Sequence, residues 1–270
     1  MHGITDDTGW FLAPNHTNGM PSSIGNAADE PVQAILAADD TKDPPVKALI
    51  FDMDGTTLHT LPDLAIAANE ALGQMGFPAR TYEDILSFMG EGSWRLIERC
   101  LPPSSTQDQC GQVFDLWRRI YIASSYENTL PFPGMVDTLR ELRSRGMKTA
   151  ILSNKFDEGA RLLAEVHFPG LFDIVRGDKA PTPRKPDPTG LLRIVEELGV
   201  EPHEAAYVGD TLVDLEVAEN AGMMFIGVSW GYDKAAPLPQ DRVDVCIHDP
   251  HELLSLPSGK ERRRARANPR

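Results

Sequence analysis

The sequence predicts an α/β fold: a Rossmann-like, three-layer parallel sheet core with an inserted all-helical cap domain. Three observations predict it. Short apolar, β-rich runs recur along the chain, and helical patterns fill the gaps between them, several stopping on glycine. Near-continuous apolar strands joined by helices are the mark of a parallel sheet covered on both faces. One long interval after the first strand breaks the alternation and reads as helix only.

Taken in order, residues 1–45 hold Gly, Pro, Asn, Ser and Asp without a sustained period, with a helical hint only at Pro31–Ala38. Seven acids against Lys42 give the stretch a charge of −6, so a flexible extension is expected. Val46–Asp52 is the first strand, and it ends on an acid. From Pro62 to Asn128 the pattern is helical: Pro62–Gln74, Thr81–Phe88, Ser93–Cys100 and Thr106–Glu127, with Pro102-Pro103 separating the last two. Further strands are expected at Lys148–Ser153, Phe172–Val175, Ala205–Asp210, Met223–Val228 and Val243–Ile247. Helices are expected at Met135–Arg145, Glu158–His167, Pro188–Leu198 and Leu212–Ala221, with Gly146, Gly199 and Gly222 placed for left-handed C-caps. The domain reading is therefore 46–61 with 129–257 as the α/β core and 62–128 as the helical cap. Residues 258–270 form a basic tail, with six cations against one acid.

Composition narrows the function classes. The 270 residues are 41% hydrophobic, and no apolar run approaches the roughly 18 residues needed to span a bilayer. Forty acids against 26 basic residues give −14, which disfavours general attraction to nucleic acid or anionic lipid. An anionic substrate must then be met by local cations, a metal or backbone N–H groups. Three cysteines, Cys100, Cys110 and Cys246, read as free thiols, and the N-terminus lacks the basic-then-apolar pattern of a signal peptide. Cytoplasm is the expected location. A membrane partner is not expected, and neither is nucleic acid; a monomer and a homodimer are equally compatible with the sequence.

Ligands of open parallel sheets bind beyond the carboxyl ends of the strands. The residues there are Asp52-Met-Asp54-Gly-Thr56 after the first strand, Ser153-Asn154 after the second, and Asp210 with Asp214 one helical turn on. Lys185 lies in Arg184–Pro188, ahead of a helix. Alone, each acid is an ordinary turn former or N-cap. Together, four acids, a hydroxyl and an ammonium converge on one crevice. Clustered carboxylates repel unless a cation neutralises them, so the set predicts a hard divalent ion, most naturally Mg²⁺.

Asp52-Met-Asp-Gly-Thr56, Ser153-Asn154, Lys185-Pro-Asp-Pro188 and Gly209-Asp-Thr-Leu-Val-Asp214 resemble the four ordered motifs of the haloacid dehalogenase superfamily. The resemblance covers about residues 46–255, and the helical interval is similar to that superfamily's four-helix cap. It implies that Asp52 is the nucleophile and Asp54 the general acid and base, two residues apart and so facing the same way on an extended segment. It implies Mg²⁺ at Asp52, the Asp54 carbonyl, Asp210 and Asp214. Ser153, Asn154 and Lys185 would hold the phosphoryl oxygens. Dehalogenases lack the second acid because halide needs no proton, so Asp54 favours phosphoryl transfer.

Within the superfamily, His59–Leu64, Phe88–Gly92, Pro131–Gly134 and Ser153-Asn-Lys155 are similar to phosphoglycolate phosphatases. The expected function is Mg²⁺-dependent hydrolysis of a small phosphorylated metabolite through an aspartyl-phosphate, with 2-phosphoglycolate the first choice. Gly92, in a loop that carries N–H groups toward an anion, and Arg95, facing the glycolate carboxylate, are the cap candidates for substrate binding. Three alternatives stay open: a β-phosphoglucomutase-like phosphomutase, a phosphatase of sugar phosphates, nucleotides or pyrophosphate, and a non-catalytic binding module.

Overall fold

The computed structural model describes residues 45–124, 126–232 and 238–256. The expected N-terminal extension, apart from Pro45, and the expected basic tail lie outside the described residues.

In chain order the elements are β1 (Ala48–Phe51), β2 (Leu58–His59), α1 (Leu61–Gln74), α2 (Tyr82–Ser87), α3 (Ser93–Cys100) and α4 (Gln107–Ala123). Then come β3 (Leu130–Pro131), α5 (Met135–Ser144), β4 (Lys148–Phe156), α6 (Asp157–His167), β5 (Ile174–Asp178) and α7 (Thr189–Leu198). The chain continues through β6 (Ala205–Gly209), α8 (Leu212–Asn220), β7 (Met224–Val228) and β8 (Val245–Ile247). Six strands form one sheet in the order β5-β4-β1-β6-β7-β8, every neighbouring pair parallel. The strand order reverses between β1 and β6, which places a ligand crevice at the carboxyl end of β1.

Period-2 alternation along β1 divides the core. Ala48 and Ile50 face Leu191, Ile194 and Val195 of α7 and Leu215 and Val217 of α8. Leu49 and Phe51 face Leu139 and Leu142 of α5 and Leu163 of α6. All four β1 side chains are fully buried, as a strand covered on both faces requires. Gly146, Gly199 and Gly222 adopt the left-handed φ expected at helix ends, at 80°, 65° and 67°.

The four helices α1–α4 pack in sequence, α1 against α2 and α4, and α3 against α2 and α4. Their apolar faces, including Leu64, Ala68, Leu72, Ile97, Val113 and Trp117, join the same core that lies under α5 and α6. β2 and β3 pair antiparallel where the chain leaves and re-enters the core, a two-residue ladder too short to show as a pattern in the sequence. The helix expected to reach Glu127 instead ends at Ala123. Buried Asp63 of α1 accepts hydrogen bonds from the Asn128 N–H (3.2 Å), Asn128 Nδ2 (2.9 Å) and Thr129 Oγ1 (2.7 Å), and so pulls the chain away from the helix axis. Among the described residues, no helix is long and apolar enough to cross a membrane, and the three cysteines are free.

Candidate active site

β1 delivers Asp52 one residue beyond its last paired position, where the Asp52 N–H still donates to Val208 O at 2.9 Å. The chain then folds back tightly: the Gly55 N–H donates to Leu58 O at 2.9 Å, and the Thr57 and Leu58 N–H groups both donate to Met53 O at 3.0 Å. Gly55 sits at φ +93°, and a Cβ there would come within 2.5 Å of Asp210 Oδ2. Only glycine lets this turn lie against the acid from β6.

Asp210 follows β6 and is buried, with Oδ1 accepting from Thr56 Oγ1 at 2.8 Å and Oδ2 from the Tyr232 N–H at 2.7 Å. Asp214, fully buried in the first turn of α8, is the acidic member of a capping box: its Oδ2 accepts from the Thr211 N–H (3.0 Å) and Oγ1 (2.7 Å). Its Oδ1 accepts from Lys185 Nζ at 2.7 Å. The same ammonium lies 2.8 Å from Asp52 Oδ1 and donates to the Tyr207 hydroxyl at 2.9 Å. Asn154 locks the loop that carries Lys185, accepting from the Lys185 N–H (2.9 Å) and donating to its carbonyl (3.1 Å). The same Nδ2 lies 3.3 Å from Gly90 O, so Asn154 ties the lysine's loop to the helical side while lining the cavity. Ser153 is buried beside it.

The electrostatics follow from this burial. Desolvation pushes the Asp52 carboxyl up; Lys185 pulls it back, and Asp214 and Asp54 push it up again, leaving it at about 6. Among the described residues no ammonium pairs with Asp210, and burial with the charges of Asp214 and Asp52 raises it to about 8. For Lys185 burial works downward, but Asp214 and Asp52 outweigh it and hold the ammonium well above its ordinary range. Carboxylate oxygens of Asp52, Asp210 and Asp214 lie within 4.8 Å of one another. Three buried acids, two of them paired to the one ammonium of Lys185, form an all-oxygen donor set short of positive charge. That fits a hard divalent cation of the Mg²⁺ type.

The crevice opens into a cavity of about 480 Å³ between core and helices. Asp52, Asp54, Ser153, Asn154 and Lys185 line its core side; Leu64, Leu86, Leu96 and Trp117 line the helical side, with Gly92 at the junction. Gly92 is the N-cap of α3, at φ 96°, where a Cβ would meet Arg184 Nη1 at 2.9 Å and Asn154 O at 3.1 Å. The structure therefore gathers Asp52, Asp54, Ser153, Asn154, Lys185, Asp210, Asp214 and Gly92 at one place. It does not bring Arg95 there: that side chain is half exposed and ion-paired to Glu98. Burial of Leu96, Ile97 and Cys100 fixes the inward face of α3 and turns Arg95 outward.

Two residues at the site went unassigned in the sequence reading. Lys155, buried at the end of β4, reaches Asp54 Oδ1 at 3.1 Å and Oδ2 at 3.4 Å. Thr60 Oγ1 donates to Asp54 Oδ1 at 2.6 Å. Ser153 and Lys155 are two apart in an extended segment and so face the same way, a signal available in Ser153-Asn-Lys155. His59 is held by the Tyr232 hydroxyl, 3.0 Å from its Nδ1, and does not line the cavity.

Comparison with known proteins gives a consistent result. A family profile described as haloacid dehalogenase-like hydrolase matches residues 49–228. The phosphoglycolate phosphatase of Nitrosospira multiformis is 34% identical over 78% of this chain and 96% of its own. That of Aquifex aeolicus is 30% identical over 78% and 96%. A crystal structure from Lactobacillus delbrueckii subsp. bulgaricus, assigned as a phosphoglycolate phosphatase, superposes with a TM-score of 0.71 at 33% identity, covering 78% of this chain and 97% of that one.

Proposed function

The chain belongs to the haloacid dehalogenase-like hydrolases, and from that premise we propose that it is a Mg²⁺-dependent phosphatase of small phosphomonoesters, with 2-phosphoglycolate its substrate. The observation that carries the reading is the pairing of roles at the end of β1. Asp52 is buried against one ammonium in an acidic cluster, and Asp54, two residues on, faces the cavity.

In this reading Asp52 attacks phosphorus, the bond to the ester oxygen breaks, and an aspartyl-phosphate forms. Asp54 gives its proton to the departing alkoxide. It then takes one from the water that attacks the acyl phosphate, releasing inorganic phosphate and restoring Asp52. Lys185 and Ser153 offset charge on the phosphoryl oxygens, while Asn154 keeps the lysine's loop in place. Asp52, the Asp54 carbonyl and Asp210 would hold the metal. Asp214 would contribute more remotely, because both its oxygens are engaged by Lys185 and Thr211. The bound cation would supply the positive charge that lets a carboxylate approach a phosphate dianion. The non-reacting end of the substrate would sit beneath the Gly90–Gly92 turn.

The choice of 2-phosphoglycolate rests on the named activities of the relatives. A cavity of about 480 Å³, with leucines and a tryptophan on its helical side, favours a second reading in which the preferred ester is bulkier, such as a sugar phosphate. Phosphate release from a panel of phosphorylated metabolites, with Mg²⁺ and with EDTA, decides between them. Metal-dependent turnover led by phosphoglycolate supports the first reading. Turnover led by a sugar phosphate keeps the chemistry and replaces the substrate. Absence of release from every ester in folded protein overturns both.

A further inference from the structure

We propose that Lys155 is the positioning residue for Asp54, holding the general acid at the leaving-group oxygen. The inference rests on the reading of Asp54 as that acid. The cavity wall presents two lysines, and their partners divide cleanly. Lys185 Nζ serves Asp52 and Asp214, whereas the carboxylate within ion-pair distance of Lys155 Nζ is that of Asp54. The Lys155 side chain is 1% exposed and that of Asp54 17%, so the ammonium is sealed in while the carboxylate still looks into the cavity.

The setting of Lys155 is built from both parts of the molecule. β4 loses regular register between Leu152 and Phe156, and within that stretch the Lys155 N–H donates to Ser153 Oγ at 3.3 Å. The next residue is tied to the helical layer, the Phe156 N–H donating to Ser93 Oγ of α3 at 3.3 Å. The ammonium lies 4.6 Å from the ring centroid of Tyr121 on α4, a distance at which the ring face attracts a cation. Asp54 is thus gripped from two sides: the Thr60 hydroxyl takes Oδ1, and Lys155, braced on an aromatic ring, spans both oxygens. A carboxyl gripped in this way is restricted to one orientation. General acid catalysis needs that restriction, because the proton must lie within hydrogen-bond reach of the ester oxygen.

A group that acts only through the general acid matters in proportion to the leaving group's need for a proton. Lys155→Met, Lys155→Arg, Asp54→Asn and the double variant Asp54→Asn/Lys155→Met are compared by kcat/KM, with folding checked by circular dichroism. Two substrates are used: p-nitrophenyl phosphate, whose phenolate leaves unaided, and the alkyl phosphomonoester that the wild-type protein cleaves fastest. Lys155→Met is expected to lose about 100-fold on the alkyl ester, within the range of general acid catalysis, and under about 5-fold on p-nitrophenyl phosphate. Lys155→Arg should recover part of the alkyl activity, and Lys155→Met should add less than about 3-fold on top of Asp54→Asn, since residues acting as one unit are not additive. Equal losses on both esters, or a full further loss in the Asp54→Asn background, would overturn the proposal by assigning Lys155 to the phosphoryl group or to the fold. If Asp54→Asn splits the two esters and Lys155→Met does not, this inference alone fails. If Asp54→Asn shows no split, the acid assignment fails first and takes the inference with it.

Discussion

Replacing Lys185 with methionine removes the ammonium from a pocket that also holds Asp52, Asp210 and Asp214, all at most 7% exposed. Its contacts of 2.8 Å to Asp52 and 2.7 Å to Asp214 each represent about 6 kcal/mol of attraction at an effective dielectric near 20. Desolvation of the ions offsets most of that, and breaking a buried pair by deleting one partner typically costs about 3–5 kcal/mol. The Tyr207 hydroxyl loses a donor as well, though it keeps its bond to Leu152 O at 2.7 Å. For a folded unit of this size, that loss lowers Tm by roughly 6–20 °C. Urea unfolding in EDTA at pH 8 and pH 5 measures it. The destabilisation should be larger at pH 8, because at pH 5 Asp52 and Asp210, raised to about 6 and about 8, hold protons and add less to the repulsion. A loss under about 1 kcal/mol at pH 8, or one that grows toward pH 5, would refute the assignment of Lys185 as the charge that makes this cluster tolerable.

Three further outcomes follow from the same geometry. Asp52 and Asp210 sit at about 6 and about 8, above the ordinary carboxylate value of 3.8. The folded state therefore binds more protons than the unfolded one between about pH 4 and 8, and thermal unfolding in EDTA should show stability falling as pH rises across that window; millimolar Mg²⁺ should reverse the trend at pH 8 by binding the folded state. Arg95→Ala removes a half-exposed ion pair with Glu98 and should leave the unfolding midpoint unchanged and alter kcat/KM for every ester by under about 2-fold; a selective rise in KM for phosphoglycolate would restore the carboxylate role expected from the sequence. Gly231→Ala would force a Cβ to within 2.1 Å of Asp210 Cβ, and should lower Mg²⁺ affinity, read as a raised Mg²⁺ concentration for half-maximal activity, by about 10-fold or more.

The sheet was legible because its strands are buried on both faces, so apolar runs such as Ala48–Phe51 stand out against amphipathic helices. The strand-end acids were legible as a set: Asp52, Asp54 and Asp210 with Asp214 all follow carboxyl ends of one parallel sheet, which brings them to one crevice. What depends on a single distant bond was not visible. The Ala123 end of α4 is set by Asp63, 65 residues away from Asn128. The bonds of Asn154 to the Lys185 backbone, across 31 residues, are of the same kind. Arg95 was legible in principle, since the spacing of Ser93, Leu96, Ile97 and Cys100 marks the opposite face of α3 as buried. Lys155, in Ser153-Asn-Lys155 but beyond the strand expected at Lys148–Ser153, carries no role in the sequence because its partner Asp54 is 101 residues earlier.

The central claim is that Asp52 accepts the phosphoryl group. Acid-quenched wild-type protein, mixed with substrate and Mg²⁺ for a single turnover, can be digested and mapped for a phosphorylated peptide. The account predicts label on the peptide containing Asp52, discharged by borohydride reduction as an acyl phosphate is, and neither label nor turnover in folded Asp52→Asn. Full turnover by Asp52→Asn, or a phosphoryl group trapped on another residue, would contradict it.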